Sequence, residues 1–258
     1  MRLYYKSVGQ NVSQGLLFLH GFLGDHTDFE DMMRYFSKSF FCIGIDLPGH
    51  GKSDINKETS WQTTAKQIQS IVKSKVKTCH VVGYSMGARV ALYTALDDPD
   101  LFQNVYLISG AFGFKTQEEK KTRLKQDQKW IAAFLASDPT VIQRWYQQPL
   151  FNSFRQQPLF KKTFLYRSTQ DLPRLGQSLS LFSQGNHPFL DPVLCRNLYY
   201  FYGEWDEKYV KIATALHPFS HINVIKIKNA GHVLHLEKRL VIQNKIQKSL
   251  NSRLSLIE

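Results

Sequence analysis

The chain has little cysteine and no long apolar run. Its 258 residues include three cysteines, Cys42, Cys79 and Cys195, and no C-x-x-C pair. An odd number of widely spaced cysteines favours neither a disulfide framework nor a thiolate metal site. The N-terminal stretch lacks the apolar region of a signal peptide, and the run Leu16–Leu19 is far too short to cross a bilayer. We therefore expect a soluble protein of the reducing cytoplasm, without stable membrane insertion.

Acidic residues are scarce relative to basic ones. There are 33 lysines and arginines against 21 aspartates and glutamates, a formal net charge of +12. Such an excess suits nucleic acid, an anionic membrane surface or an acidic substrate. The chain has no zinc-ligand spacing, RNP-like motif or basic heptad region, so we predict no nucleic-acid partner. Because no Rossmann or Walker fingerprint is present either, we predict neither a cofactor nor a metal.

Short apolar runs bounded by turn residues recur along the chain, with helix-period segments between most of them. This alternation predicts a parallel sheet covered by helices. The predicted strands are 16–20, 40–45, 80–84, 104–109, 197–203 and 222–228. A final helix is predicted over Glu237–Leu250, because its apolar residues fall largely on one helical face. Those residues are Leu240, Val241, Ile242, Ile246 and Leu250.

One connection is too long for a strand-to-strand loop. The stretch from Ser109 to Asn197 carries its own helical patterns, beginning with 117–135, and Pro139 suits the first turn of a second helix. An inserted helical cap is the simplest interpretation of this stretch. The predicted parts are a first core segment at 1–110, the cap at 111–196 and a second core segment at 197–258.

The run Gly83-Tyr84-Ser85-Met86-Gly87 matches G-x-S-x-G. It follows the strand-like residues 79–82 and precedes the helix-like residues 88–96. In that setting small glycines permit a tight strand-to-helix turn that exposes the serine hydroxyl. The motif therefore predicts Ser85 as a catalytic serine.

A catalytic serine needs a histidine to accept its proton and a carboxylate to orient that histidine. Asp206 follows one predicted strand and His232 follows the next, which gives the chain order serine, aspartate, histidine found with this motif. Asp206 is favoured by its loop position and its short side chain. His235 remains an alternative to His232, and Glu204 or Glu207 to Asp206.

An oxyanion in such a site is stabilised by fixed backbone N–H donors. We predict Met86, which follows the serine, and Phe22, in the Gly-rich loop 20–24 after an early strand. The alternative for that loop is an ordinary turn. His50, in the loop 46–53, is predicted to brace structure.

Together these motifs resemble the α/β-hydrolase superfamily over nearly the whole chain. The matching strings are HGF at 20–22, DLPGHGKS at 46–53, GYSMG at 83–87 and AGH at 230–232. The resemblance implies the α/β-hydrolase fold, a mostly parallel sheet flanked by helices, with an inserted helical cap.

Longer strings are similar to one branch, the 2-succinyl-6-hydroxy-2,4-cyclohexadiene-1-carboxylate synthases of menaquinone biosynthesis. They are GYSMGAR at 83–89, WYQQPLF at 145–151 and YRS at 166–168. This resemblance implies a lyase whose serine, activated by the histidine and aspartate, removes a ring proton so that pyruvate is eliminated. The developing enolate oxygen would lie against the predicted oxyanion donors. Ala88 departs from the family, which often has a second glycine there.

The resemblance also implies a pocket for a small polycarboxylate substrate, because buried carboxylates require cationic partners. The residues at family-matching positions are Tyr84, Arg89, Arg123, Trp145, Phe151 and Arg167. Arg89 lies one helical turn after Ser85, near the same face. Trp145 and Phe151 could equally be core aromatics, and the whole site could belong to a serine hydrolase. We expect a monomer.

Overall fold

A computed structural model of the chain describes residues 1–10 and 12–254, with side chains as far as residue 251. Within those residues, seven strands form one sheet in the order β1-β3-β2-β4-β5-β6-β7. The strands are β1 (Tyr5–Val8), β2 (Gln14–Leu19), β3 (Phe41–Ile45), β4 (Thr78–Tyr84), β5 (Phe102–Ile108), β6 (Leu198–Gly203) and β7 (Asn223–Ile227). Every pairing is parallel except that of β1 with β3.

Helices cover the sheet and fill the long connection. They are α1 (Glu30–Phe36), α2 (Trp61–Lys73), α3 (Met86–Asp97), α4 (Gln117–Leu135), α5 (Val141–Tyr146), α6 (Asn152–Arg155), α7 (Phe160–Arg167), α8 (Leu172–Leu181), α9 (Glu207–Leu216), α10 (Leu234–Glu237) and α11 (Arg239–Leu254). Helices α4 to α8 all lie between β5 and β6. They form the helical cap, in which α4 packs against α8. The domain boundaries at 110 and 196 stay a prediction.

The sheet is buried on both faces. Leu17 and Leu19 of β2 belong to one hydrophobic cluster, whereas Leu16 and Phe18 belong to the other. Successive side chains of a strand point to opposite faces, so a strand covered on both sides is apolar at every position. This is why the central strands are visible in the sequence as continuous apolar runs.

Each predicted strand overlaps one of β2 to β7, but β1 was not predicted. The residues of β1 are mostly exposed, and the strand pairs antiparallel with β3 at the edge of the sheet. An exposed edge strand gains its stability from backbone pairing, so it has no apolar run to mark it.

The predicted and observed limits of a helix agree where a local sequence signal fixes them. The start of α4 is set by a capping box, in which the Thr116 hydroxyl and the Glu119 carboxylate each accept from the other's backbone N–H. The prediction for Pro139 is wrong, because α5 begins only at Val141. Asp138 instead caps the preceding turn by accepting from Thr140 N–H at 2.8 Å.

The prediction of one apolar face on the last helix is wrong for two residues. Leu240 and Val241 are 60% and 42% exposed, whereas Ile242, Ile246 and Leu250 are buried. Residues four apart lie on one face of a helix, so Ile242, Ile246 and Leu250 form one buried stripe. Leu240 and Val241 lie outside that stripe. No helix in the described part of the chain is long and apolar enough to span a membrane.

Candidate active site

Ser85, His232 and Asp206 meet at one end of the sheet. The Nε2 atom of His232 lies 3.0 Å from the Ser85 Oγ, and its Nδ1 atom lies 2.7 Å from an Asp206 carboxylate oxygen. His232 and Asp206 are 2% and 5% exposed. A neutral imidazole that donates from Nδ1 to the carboxylate presents Nε2 as an acceptor. The geometry therefore allows His232 to take a proton from the serine.

The serine occupies a strained turn between β4 and α3. Its backbone φ is 50° and ψ is −105°, outside the regions that residues with side chains ordinarily adopt. A Cβ atom at Gly83 would lie 2.4 Å from the Gly87 carbonyl oxygen, so only glycine fits at that close approach. The G-x-S-x-G spacing thus permits a turn that holds the hydroxyl in front of His232.

A backbone hydrogen bond joins the loop that carries Asp206 to the loop that carries His232. Trp205 N–H donates to the Ala230 carbonyl at 3.0 Å, which links the loop after β6 to the loop after β7. The Glu237 carboxylate accepts from Gly231 N–H at 2.9 Å and from Val233 N–H at 3.0 Å. Glu237 therefore fixes the backbone on both sides of His232. Sequence reasoning missed this residue, because no motif marks it.

The alternatives left open by the sequence lie elsewhere. His235 is fully buried, its ring centroid is 4.0 Å from that of Tyr84, and burial lowers its pKa. Glu204 accepts from Asn229 N–H at 3.1 Å, and Glu207 is exposed. None of them takes the place of Asp206 or His232 beside the serine.

The backbone segments that carry the two predicted oxyanion donors lie next to Ser85. Met86 is the first residue of α3, where backbone N–H groups have no acceptor within the helix. The loop that contains Phe22 passes close to the serine, since a Cβ atom at Gly21 would lie 3.5 Å from the Ser85 Cβ. His50 braces this loop by accepting from Leu23 N–H at 3.2 Å. The oxyanion role of both N–H groups stays a prediction.

Aromatic side chains of the cap lie beside His232 and Phe22. The ring centroid of Trp145 lies 4.9 Å from that of Phe22, and Phe151 lies 6.3 Å from His232. The Tyr84 ring lies 5.3 Å from His232 on the core side. Trp145 is only partly buried, whereas Tyr84 and Phe151 also belong to the hydrophobic core. All three predicted pocket aromatics are therefore brought to the site.

Arg89 of α3 lies near Arg123 of the cap helix α4. Arg89 is 7% exposed and donates to the Phe182 carbonyl at 2.7 Å. Burial lowers the pKa of Arg89 to about 10, and Arg123 contributes to the shift. Arg123 donates to Asp127 at 2.8 Å, and the same carboxylate accepts from Ser183 at 2.7 Å.

Arg167 is held apart from that pair of arginines. It donates to the Asp28 carboxylate and to the Tyr146 hydroxyl, and its side chain is 4% exposed. Burial alone would raise the pKa of Asp28, but Arg167 and His235 hold it well below its usual range. In this structure Arg167 is paired with the Asp28 carboxylate. Its predicted contact with substrate stays a prediction.

Two further residues near the site were missed by sequence reasoning. Tyr209 is buried with its ring 4.7 Å from that of His232, and it lies near Ser85. Burial and the nearby Asp206 raise the pKa of Tyr209 to about 12. Lys208 precedes it, and burial together with neighbouring arginines lowers the pKa of this lysine to about 8. Their only sequence signal is that they follow the predicted acid directly.

One group in the described residues has the spacing of metal ligands. Oxygen or nitrogen atoms of Asp25, His26 and Asp46 lie within 4.8 Å of one another. They already bond to protein groups, since His26 donates to Asp46 at 2.7 Å and Asp25 accepts from Thr27 N–H at 2.8 Å. The group braces the loops around β3.

Fold and geometry define an α/β-hydrolase scaffold with a serine–histidine–aspartate site. The family model of the alpha/beta hydrolase fold matches residues 15–239. A Haemophilus influenzae protein provisionally named as 2-succinyl-6-hydroxy-2,4-cyclohexadiene-1-carboxylate synthase is 33% identical, over 90% of this chain and 95% of the relative. The synthase of Enterobacter sp. strain 638 is 30% identical over 86% of each chain. The solved structure of MenH from S. aureus superposes with a TM-score of 0.90 at 27% identity, covering 96% of this chain and 98% of that one.

The chain therefore belongs to the α/β-hydrolase fold family and, within it, to the 2-succinyl-6-hydroxy-2,4-cyclohexadiene-1-carboxylate synthases. The family, the fold class and the enzyme class predicted from the sequence motifs are confirmed.

Proposed function

We propose that the protein converts 2-succinyl-5-enolpyruvyl-6-hydroxy-3-cyclohexene-1-carboxylate to 2-succinyl-6-hydroxy-2,4-cyclohexadiene-1-carboxylate and pyruvate, in menaquinone (vitamin K2) biosynthesis. The observation that carries this proposal is the buried Arg89, one helical turn after Ser85 on α3, with Arg123 of the cap near enough to lower its pKa. Burying cations is costly unless they meet negative charge. A substrate with several carboxylates meets that need, whereas a neutral ester does not.

The reaction requires a base and a place for negative charge. Ser85, losing its proton to His232, would take the proton from the ring carbon next to the succinyl ketone. The electron pair of that C–H bond forms a new ring double bond, the existing double bond shifts by one position, and the bond to the enolpyruvyl oxygen breaks. Enolpyruvate then takes up one proton to become pyruvate. The ketone oxygen, which carries charge as an enolate, would lie against the Phe22 and Met86 N–H groups.

The test is release of pyruvate by the purified protein from the enolpyruvyl substrate, followed with coupled lactate dehydrogenase. Ser85→Ala removes the base and is expected to lower kcat by about 10³-fold. Arg123→Ala is expected to raise KM by about tenfold or more. Arg144→Ala is the matched control, because this cap arginine pairs with Asp138 on the surface.

A serine hydrolase would give the opposite pattern. With Ser85 as a nucleophile, the same three side chains would form an acyl adduct. Absence of pyruvate release, together with Ser85-dependent hydrolysis of aryl esters, would replace the lyase by a carboxylesterase or a carbon–carbon bond hydrolase. The setting assumed here is a cytoplasmic monomer acting on a small polycarboxylate.

A further inference from the structure

Lys208 lies at the edge of the catalytic site. Its Nζ atom is 3.1 Å from the Gln184 side-chain oxygen and 5.2 Å from the centre of the Tyr209 ring. That ring is itself 4.7 Å from His232. The ammonium group is therefore held one aromatic ring away from the catalytic histidine.

The lysine borders two recesses of the surface. One, of about 510 Å³, is shared with Arg123 of the cap. The other, of about 490 Å³, is shared with Asp206 and with Ser153 of the cap. The Lys208 side chain is in contact with solvent, but protein atoms lie on several sides of it. This partial removal of water lowers its pKa. A ligand that enters from either side can reach the ammonium group.

Charged groups of both signs surround Lys208. Arg89 and Arg123 are near enough to disfavour its charge, and two carboxylates act against them. Both carboxylates have other partners, since Asp127 bonds Arg123 and Asp206 bonds His232. Among the described residues, the only hydrogen-bond acceptor of Lys208 is the neutral amide oxygen of Gln184. Among these residues, two donor positions of the ammonium group have no hydrogen-bonded acceptor, and the Arg123 cation lines the same recess.

We propose that Lys208, together with Arg123, binds one carboxylate group of the substrate in the recess that these two side chains share. The proposal rests on the function proposed above and adds a residue to its binding site. A carboxylate between the two cations would form charge-assisted hydrogen bonds and offset the repulsion between them. If Lys208 instead only supports the packing of Gln184 and Tyr209, its charge is dispensable for binding.

The test measures binding of 2-succinylbenzoate by calorimetry. This stable aromatic dicarboxylate has the ring carboxylate and the succinyl group but no enolpyruvyl group, so binding is measured apart from pyruvate release. Lys208→Met keeps the apolar stem and removes the charge. Lys208→Arg restores a cation, and Lys211→Met removes the same charge from an exposed site one turn further along α9.

Lys208→Met is expected to weaken binding about tenfold or more, the usual effect of losing a charged hydrogen bond. Lys208→Arg is expected to bind within about threefold of the unmodified protein, and Lys211→Met to bind unchanged. Because burial lowers the pKa of Lys208 to about 8, the unmodified protein should also lose affinity between pH 7 and pH 9.5, as the ammonium deprotonates. Lys208→Arg should abolish this loss.

Arg89 is a second cation near Lys208 that can respond to this change of pH, because burial lowers its pKa to about 10. The carboxylates around Lys208 are those of Asp127, Asp206 and the exposed Glu207, and the recess shared with Arg123 adds Glu118 and Glu119. A loss of affinity that disappears in Lys208→Arg reports on Lys208, whereas a loss that remains belongs to another group.

The outcomes separate the two proposals. Unchanged binding by Lys208→Met, equal losses in Lys208→Met and Lys211→Met, or no binding of the probe by the unmodified protein would each overturn the role of Lys208. Pyruvate release, measured independently, would still stand in those cases. Absent pyruvate release with Lys208-dependent binding of the probe would instead refute the lyase and leave a carboxylate-binding site.

Discussion

Arg167 donates through one terminal nitrogen to both carboxylate oxygens of Asp28, at 2.9 and 2.7 Å. Both side chains are almost fully buried, at 4% and 9% exposure. The pair joins α7 of the cap to the short 3-10 helix His26–Phe29 of the core, which follows the Phe22 loop. Arg167, which the family resemblance implies as a substrate ligand, is thus also part of the contact between cap and core.

Asp28→Asn is expected to destabilise the protein by about 3–5 kcal/mol, because it leaves the Arg167 charge buried without a partner. Urea unfolding measures the loss. The depressed pKa of Asp28 means that the ion pair is present above the usual carboxyl range and is lost only as pH falls far into acid. The difference from the unmodified protein should therefore be constant between about pH 5 and pH 8.

Asp31→Asn is the matched control for that variant. Asp31 pairs with Arg239 at 2.6 Å, but the two side chains are 57% and 39% exposed. Surface pairs of this kind contribute little, so no measurable loss is expected. Equal losses of unfolding free energy in the two variants would show that the buried Arg167–Asp28 pair stabilises the protein no more than an exposed pair does.

The strained backbone of Ser85 gives a prediction about stability that is separate from activity. At its φ of 50° a side chain is unfavourable, so Ser85→Gly should be more stable than Ser85→Ala by about 1 kcal/mol. Ser70, exposed within α2, is the control, because there glycine should be less stable than alanine by a similar amount. The urea midpoints of the four variants show whether the stability order of glycine and alanine is reversed between Ser85 and Ser70. The same order at both positions would mean that the turn is unstrained.

Asp206→Asn is expected to lower kcat by about 10²–10⁴-fold, because an amide does not hold His232 in the tautomer that accepts the serine proton. Glu204→Gln is the control, since Glu204 bonds Asn229 N–H and lies near Lys226 instead. Steady-state pyruvate release with both variants measures the effect. A large loss in Glu204→Gln with none in Asp206→Asn would reassign the acid.

The net charge of +12 predicts electrostatic attraction of a polyanionic substrate. We expect kcat/KM to fall several-fold as salt is raised from about 10 mM to about 500 mM, with kcat nearly constant, because screening weakens the long-range attraction. Initial rates at limiting and at saturating substrate separate the two parameters. A kcat/KM independent of salt would leave the charge without a role in substrate capture.

The sequence by itself determined most of the sheet and the chain order of the serine, aspartate and histidine. The strands β2 to β6 are covered on both faces and are largely apolar, so they are visible in the sequence without any knowledge of their partners. The edge strand β7 is more exposed, but it keeps a short apolar run around Val224 and Ile225. The G-x-S-x-G turn is also local, because its glycines and serine are adjacent in the chain. Asp206 and His232 could be placed by order, since each follows a strand that was itself predictable.

Only the tertiary structure decided the rest. The edge strand β1, the clamp of Glu237 around His232 and the pairing of Arg167 with Asp28, which are 139 residues apart, depend on contacts between distant segments. The same is true of the recess that Lys208 shares with Arg123. A charged side chain has the same sequence signal on the surface as beside a catalytic serine. What distinguishes them is how much water the fold removes and which charges it brings near, and both are properties of the packed molecule.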